Sequence, residues 1–205
     1  MKKNLLALCM LSFLCSCDSQ GKRALMGKTA YQQELNASYK DASISPLRKK
    51  DLKKFRGLDF FPVDSVFIVT ASLAKTINAP TFEMATTTDR KPLYKEYGTL
   101  NFTLKGENCE LTIYQSQDDL QDEKHKDLLF LPFTDATSSN ESYGGGRYMD
   151  VMKTDENANG TISLNFNNTY NPYCAYNDKY SCPLTPRKNH LEVAIEAGIM
   201  VFKKH

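Results

Sequence analysis

Between Leu100 and Ile113 the chain alternates apolar and polar residues in two short runs. Leu100, Phe102 and Leu104 interleave with Asn101, Thr103 and Lys105, and Leu111 and Ile113 continue the pattern beyond Gly106-Glu107-Asn108. A period of two puts one set of side chains on a buried face, and the polar gap turns the chain back as a hairpin. Strand-like runs recur at Val66–Ala71, Thr81–Thr88, Leu128–Phe133, Arg147–Met152 and Thr161–Phe166. Leu191, Val193 and Ile195 alternate in the same way, and Ile199–Phe202 predicts one more strand. Asn157-Ala158-Asn159-Gly160 is a turn-former between two of these runs.

Two segments near the start have a different pattern. Thr29–Asp41 lacks Gly and Pro and sets Tyr31, Leu35, Tyr39 and Ala42 near one face, which predicts a helix. Ser45-Pro46 predicts a second helix, with Ser as N-cap, Pro at the first position, and Leu47, Leu52 and Phe55 turned inward as far as Gly57. Two short N-terminal helices and about nine strands with mostly hairpin-length connections predict a mainly β fold. The expected architecture is an antiparallel sandwich or a closed or split barrel.

The first residues read as an address. Lys2-Lys3 precedes the apolar run from Leu5 to Leu14, the plan of a secretory signal, and the run is shorter than the roughly 20 residues that span a bilayer. Leu14-Cys15-Ser16-Cys17 resembles the lipobox of bacterial lipoproteins, which implies cleavage after residue 16 and acylation of Cys17. The expected organisation is a signal peptide at 1–16, a lipidated Cys and polar tether at 17–28, and a single domain at 29–205. The expected location is a bacterial cell envelope, with the membrane as partner through the lipid. Two or three acyl chains anchor stably, each buried CH₂ contributing about 0.8 kcal/mol.

The 26 basic and 24 acidic residues of the full chain become equal in number once Lys2 and Lys3 leave with the signal. A neutral domain without Trp or a concentrated basic face is a poor match for nucleic acid. The run from Arg48 to Arg56 is basic, and reads as a solvated helix face or a contact with anionic lipid. Asp118-Asp119 and Asp122-Glu123 read as a solvated loop whose spacing is not that of a calcium loop.

Three groups of residues could carry chemistry. In Tyr143-Gly144-Gly145-Gly146-Arg147, glycines permit positive φ and close approach to a ligand, and Arg147 could offer its planar fork to an anion. The same residues could equally form a tight turn into a strand, with Arg147 bridging to a carboxylate such as Asp150. The Asn- and Tyr-rich run from Asn165 to Asn177 can fix an irregular loop through side-chain hydrogen bonds, or line a pocket with amides and phenols. It lies in a stretch from Asn167 to Pro186 with little strand pattern, long for a connection in a compact domain. Cys174 and Cys182, with seven residues between them, make a disulfide the default outside the cytoplasm. Nothing brings His125 or His190 to them, so no metal site is expected. No motif identifies a cofactor.

Taken in order, Tyr143-Gly144-Gly145-Gly146-Arg147-Tyr148-Met149-Asp150, Asn165-Phe166-Asn167, Tyr170-Asn171-Pro172, Cys174-Ala175-Tyr176-Asn177, Ser181-Cys182-Pro183-Leu184 and Asn189…Leu191 resemble an uncharacterised bacterial family, domain of unknown function 1684. Ser45-Pro46-Leu47 and Phe130-Leu131-Pro132-Phe133-Thr134-Asp135 resemble its earlier segments. The resemblance implies no established reaction. Where the family tends to read Asp-Phe-Asn, this chain has Asn165-Phe166-Asn167.

These observations lead to the expectation of a lipid-anchored domain binding a small or extended polar or anionic ligand, a small molecule or a glycan. Its contacts would be Tyr143, Gly145, Arg147, Asn167, Asn171, Tyr176 and Asn189. Two alternatives stand beside it. One is an envelope enzyme, a hydrolase or a thiol-dependent activity using Cys174 or Cys182 with Arg147. The other is a structural or assembly lipoprotein in which the same motifs serve folding.

Overall fold

The computed structural model describes residues 27–203; the signal segment, Cys17 and the tether up to residue 26 lie outside the described residues. Helix α1 spans Ala30–Lys40, and Thr29 caps it by accepting the Gln32 amide at 3.2 Å. The second helix is shorter than the sequence suggests. α2 covers only Lys49–Leu52 and begins after Arg48, which makes no side-chain cap. Ser45 is occupied elsewhere: its Oγ donates to the Tyr39 carbonyl at 2.6 Å, near the end of α1, and accepts the Leu47 amide at 3.3 Å. A late carbonyl of α1 thus takes the hydroxyl expected to cap α2. Leu47 is still buried, in a cluster with Tyr39, Leu58, Phe60, Tyr176 and Ile199.

Eight strands follow: β1 Ile68–Lys75, β2 Phe82–Glu83, β3 Leu93–Leu104, β4 Glu107–Ser116, β5 Leu128–Asp135, β6 Arg147–Met152, β7 Thr161–Asn165 and β8 His190–Leu191. The sheet order is β6-β5-β4-β3-β1-β7, with β2 on β3 and β8 on β5. Every pairing is antiparallel except that of β5 with β8. The sheet curls into a half-barrel, in agreement with the mainly β, split-barrel expectation. Met149 and Val151 of one edge strand and Ile162 and Leu164 of the other join the same core around Leu100, Leu111, Leu131 and Phe133.

The β3–β4 hairpin turns one residue earlier than Gly106-Glu107-Asn108 suggests. Lys105 and Gly106 both take positive φ, 51° and 86°, the backbone of a two-residue type I′ connection. Asn157–Gly160 does not join paired strands, because β6 and β7 lie at opposite ends of the sheet order.

The largest departure is C-terminal. Only His190–Leu191 pairs as a strand, and beyond it the described chain adds one isolated bridge, Phe60 to Ile199. The alternation of Leu191, Val193 and Ile195 belongs to an extended segment whose carbonyls are claimed by a side chain. Ile195, Ala197 and Ile199 all present their oxygens to the Arg147 guanidinium. Among the described residues no helix is long and apolar enough to cross a membrane.

Candidate functional site

The two faces of β6 divide the site from the core. Arg147, Met149 and Val151 stand opposite Phe133, Leu131 and Leu129 of β5 on the inner face. Tyr148 and Asp150 stand opposite Pro132 and Phe130 on the outer face. There the rings form a continuous ribbon. Tyr94 and Phe130 have centroids 5.7 Å apart, Phe130 and Tyr148 4.7 Å apart at 78°, and Tyr148 and Tyr170 5.8 Å apart at 89°. Edge-to-face packing of this kind is favoured by the ring quadrupoles and leaves some faces free.

Above this ribbon lies an open cleft of about 420 Å³. Its far wall is the irregular stretch that follows β7. Tyr170 exchanges backbone hydrogen bonds with Tyr148, at 2.8 and 2.9 Å, and so covers the free edge of β6. The Tyr148 hydroxyl donates to the Pro183 carbonyl. The segment around Cys182 is zipped to residues 85–90. Thr87 donates its amide to the Cys182 carbonyl at 2.9 Å, Leu184 donates to Ala85 at 2.8 Å, and Arg90 donates to the Ser181 carbonyl at 3.1 Å. Arg90 forms one rim, and Asp119 and His125 lie in the lining with Asp150.

Asp150 is the polar centre. The Tyr170 hydroxyl donates to its Oδ1 at 2.6 Å. Water reaches the carboxylate through the mouth of the cleft, yet protein surrounds it on most sides. Desolvation therefore raises its pKa, against the opposing effects of the Tyr170 hydrogen bond and the His125 charge. Burial also raises the phenols of Tyr148 and Tyr170, and pushes Tyr94 up to about 12, so all three remain protonated donors at neutral pH. A second hollow of about 380 Å³ adjoins the other side of this pair, between Asp150, Tyr170, Tyr173 and the α1 residues Tyr31 and Glu34.

The raised pKa has a consequence for stability. A carboxyl whose pKa is higher folded than unfolded contributes stability while protonated and loses it as pH rises past the ordinary aspartate value of 3.8. Asp150→Asn removes that loss and leaves Tyr170 an oxygen to donate to. The variant is expected to melt at a higher temperature than the parent at neutral pH, with the gap closing in acid. Thermal unfolding at several pH values measures it; a variant less stable at pH 7 would contradict the electrostatic account.

The structure disperses the residues expected from sequence to bind a ligand. Arg147 faces the core rather than the cleft and pairs with Asp135 at 2.7 Å, not with Asp150. Gly146 takes φ 92° in the tight turn before it, where a Cβ would lie 2.6 Å from the Phe133 carbonyl. Gly145 is exposed, and its carbonyl accepts from Thr185. Asn167 is buried, exchanges two bonds with the backbone of Asp64, and donates to Asn165. Asn171 donates to the Met200 carbonyl and the Tyr176 hydroxyl, and Tyr176 packs on Tyr39 and Phe202. Asn189 is buried between β4 and β5. Asn165 accepts the Asn167 amide and caps a single turn at Phe166–Asn168, a role that Asp could fill equally.

Tyr143 is half-buried beside the thiols. The expected disulfide is not formed in the structure: Cys174 and Cys182 are free cysteines. The Cys174 amide donates to the Cys182 sulfur at 3.1 Å. Among the described residues no group of three or more His, Cys, Asp or Glu is placed to hold a metal.

The groups that do line the cleft come from positions as far apart as Arg90 and Pro183, so no local motif announces them. One signal was available on β6. The period of two that makes Met149 and Val151 core also assigns Arg147 to the core and Tyr148 and Asp150 to the opposite face.

Residues 53–200 match the family model described as protein of unknown function (DUF1684). No curated protein matches the chain. Among solved structures, the solution NMR structure of an uncharacterized protein from gene locus rrnAC0354 of Haloarcula marismortui is similar to it. That similarity has a TM-score of 0.67 and 34% identity, over 84% of this chain and 91% of the other. With nearly three quarters of its length inside the family model, this chain belongs to the domain of unknown function 1684 family.

Proposed function

We propose that this protein is a lipid-anchored domain of the bacterial cell envelope that binds a small polar ligand, a glycan fragment, in the aromatic cleft beside Asp150. The observation that carries the proposal is the cleft itself. Its volume falls in the range of small-ligand sites, about 300–1,000 Å³, and it combines ring faces with a few convergent polar groups. Ring faces suit the C–H face of a sugar. Asp150 and Asp119 suit its hydroxyls as acceptors, and Arg90 and the phenols add donors. The envelope location rests on Lys2-Lys3, the apolar run and Leu14-Cys15-Ser16-Cys17.

Titrating the isotope-labelled chain with mono- and disaccharides, followed by amide NMR, tests the ligand. Saturable shifts are expected at Tyr94, Phe130, Tyr148 and Asp150. Tyr148→Ala should weaken binding by about tenfold or more, as loss of a central aromatic anchor does. Absence of cleft shifts with every sugar would refute the glycan assignment. Cys17→Ser should move the protein from the membrane fraction to the soluble one, and retention in the membrane fraction would refute the anchor.

A further inference from the structure

We infer that Cys174 and Cys182 form a reversible dithiol–disulfide couple in the wall of the cleft, with Cys174 as the attacking thiol and Cys182 as the resolving one. The inference stands on geometry independent of any ligand in the cleft. Cys174 is the middle residue of the single turn Tyr173–Ala175 and is half-buried; Cys182 is buried and lines the cleft. The two are already in contact, with the Cys174 amide donating to the Cys182 sulfur at 3.1 Å. The Thr87 hydroxyl accepts the Cys182 amide at 3.1 Å and donates to the Tyr180 carbonyl at 3.2 Å, which fixes the segment that carries Cys182.

Cys174 is the more exposed residue of the two and so the one that an external disulfide reaches first. The contact with Cys182 is the largest cause that lowers the Cys174 thiol, to about 7 and against its partial burial, while the same contact and burial push Cys182 up. A thiol that titrates near ambient pH is the best attacking group for exchange. Cys109 is the internal contrast: it is buried on β4, burial raises its thiol, and its hydrogen bond at 3.7 Å goes to the Glu107 carbonyl. Buried thiols in such surroundings are inert.

The oxidant is a disulfide, R–S–S–R′, either a low-molecular-weight compound or the active site of an exported oxidase. The Cys174 thiolate attacks one sulfur, the S–S bond breaks, and R′–S⁻ leaves and takes up a proton. Cys182 then loses its proton and attacks the Cys174 sulfur of the mixed disulfide, releasing R–SH. Two protein thiols become one disulfide, and one disulfide becomes two thiols. The new bond ties the turn carrying Tyr173 to the segment carrying Pro183, both of which line the cleft.

The full chain, reduced and then exposed to oxidised glutathione at neutral pH, is digested after acid quenching and mapped by mass spectrometry. The expected product is a linked pair of peptides containing Cys174 and Cys182. In Cys182→Ser, glutathione should accumulate on Cys174. In Cys174→Ser, Cys182 should react at least about tenfold more slowly, as expected for a thiol without activation. Equal reactivity of the two, or no adduct on Cys174, would overturn the inference. A measurement on the unmutated chain guards against variants that do not fold. Iodoacetamide should label Cys174 at least about tenfold faster than Cys182 or Cys109, with a rate that climbs through pH 7. Uniform labelling of the three would overturn it as well.

Discussion

Arg147→Ala is expected to destabilise the domain by about 3–5 kcal/mol or to prevent folding, the effect of removing one partner from a buried ion pair. The guanidinium is fully enclosed. Its Nη2 donates to Asp135 Oδ2 at 2.7 Å and to the Ile195 carbonyl at 2.8 Å; its Nη1 donates to the carbonyls of Ala197 at 2.5 Å and Ile199 at 3.3 Å. The rings of Phe61 and Phe133 stack on it at 5.7 and 5.3 Å. Truncation leaves the Asp135 charge buried with only the amides of Thr137 and Ile195 to stabilise it, and strips partners from three carbonyls.

A paired substitution separates charge from connectivity. Buried ion pairs can often be replaced by apolar residues of similar size without loss. Here Arg147→Met with Asp135→Leu removes the orphaned charge but cannot satisfy Ile195, Ala197 and Ile199. The double variant should therefore recover only part of the deficit. Urea unfolding of the single and double variants supplies the comparison. Full recovery would mean that the carbonyl bonds contribute nothing. A parent-like Arg147→Ala would mean that this side chain does not hold the C-terminal segment.

The same arrangement explains what the sequence could reveal. Local pattern was sufficient where strands pair with their neighbours in sequence, as in β3 and β4, and where apolar residues recur on one helix face, as in α1. It failed where a distant side chain substitutes for a strand. Leu191, Val193 and Ile195 alternate as a sheet strand would, but Arg147, some fifty residues earlier, takes the backbone oxygens that a partner strand would have bonded. The candidate residues were singled out for chemical capability, and buried Asn and Arg have the same capability when they serve the backbone. Asn167 and Asn171 lie in the irregular stretch foreseen for them and Asn189 just beyond it, with buried backbone partners whose identity depends on tertiary approach. The cleft was illegible for the complementary reason. Tyr94, Phe130, Tyr148 and Tyr170 are ordinary strand and loop aromatics until the sheet register aligns them.

Asn189→Ala should cost about 3 kcal/mol or more, because one amide replaces several rungs of the ladder between β4 and β5. Those strands share a single register pair, Tyr114 with Phe130, and diverge beyond it. Into the gap Asn189 sends its side chain. Oδ1 accepts the Thr112 amide at 3.0 Å, and Nδ2 donates to the carbonyls of Thr112 and Pro132, each at 2.7 Å. Its own carbonyl accepts the Thr134 amide at 2.9 Å. Truncation leaves three buried backbone groups unpaired, at about 1–3 kcal/mol each, less whatever water recovers. Asn189→Asp keeps the acceptor but places a carboxylate beside two carbonyl oxygens, so it should be worse than Ala at neutral pH. Its deficit should shrink as pH falls and the protonated acid regains one donor. Hydrogen exchange adds a local readout: the Thr112 amide should lose protection in Asn189→Ala before the β3–β4 amides around it do. Unchanged protection at Thr112 would place the link between β4 and β5 elsewhere.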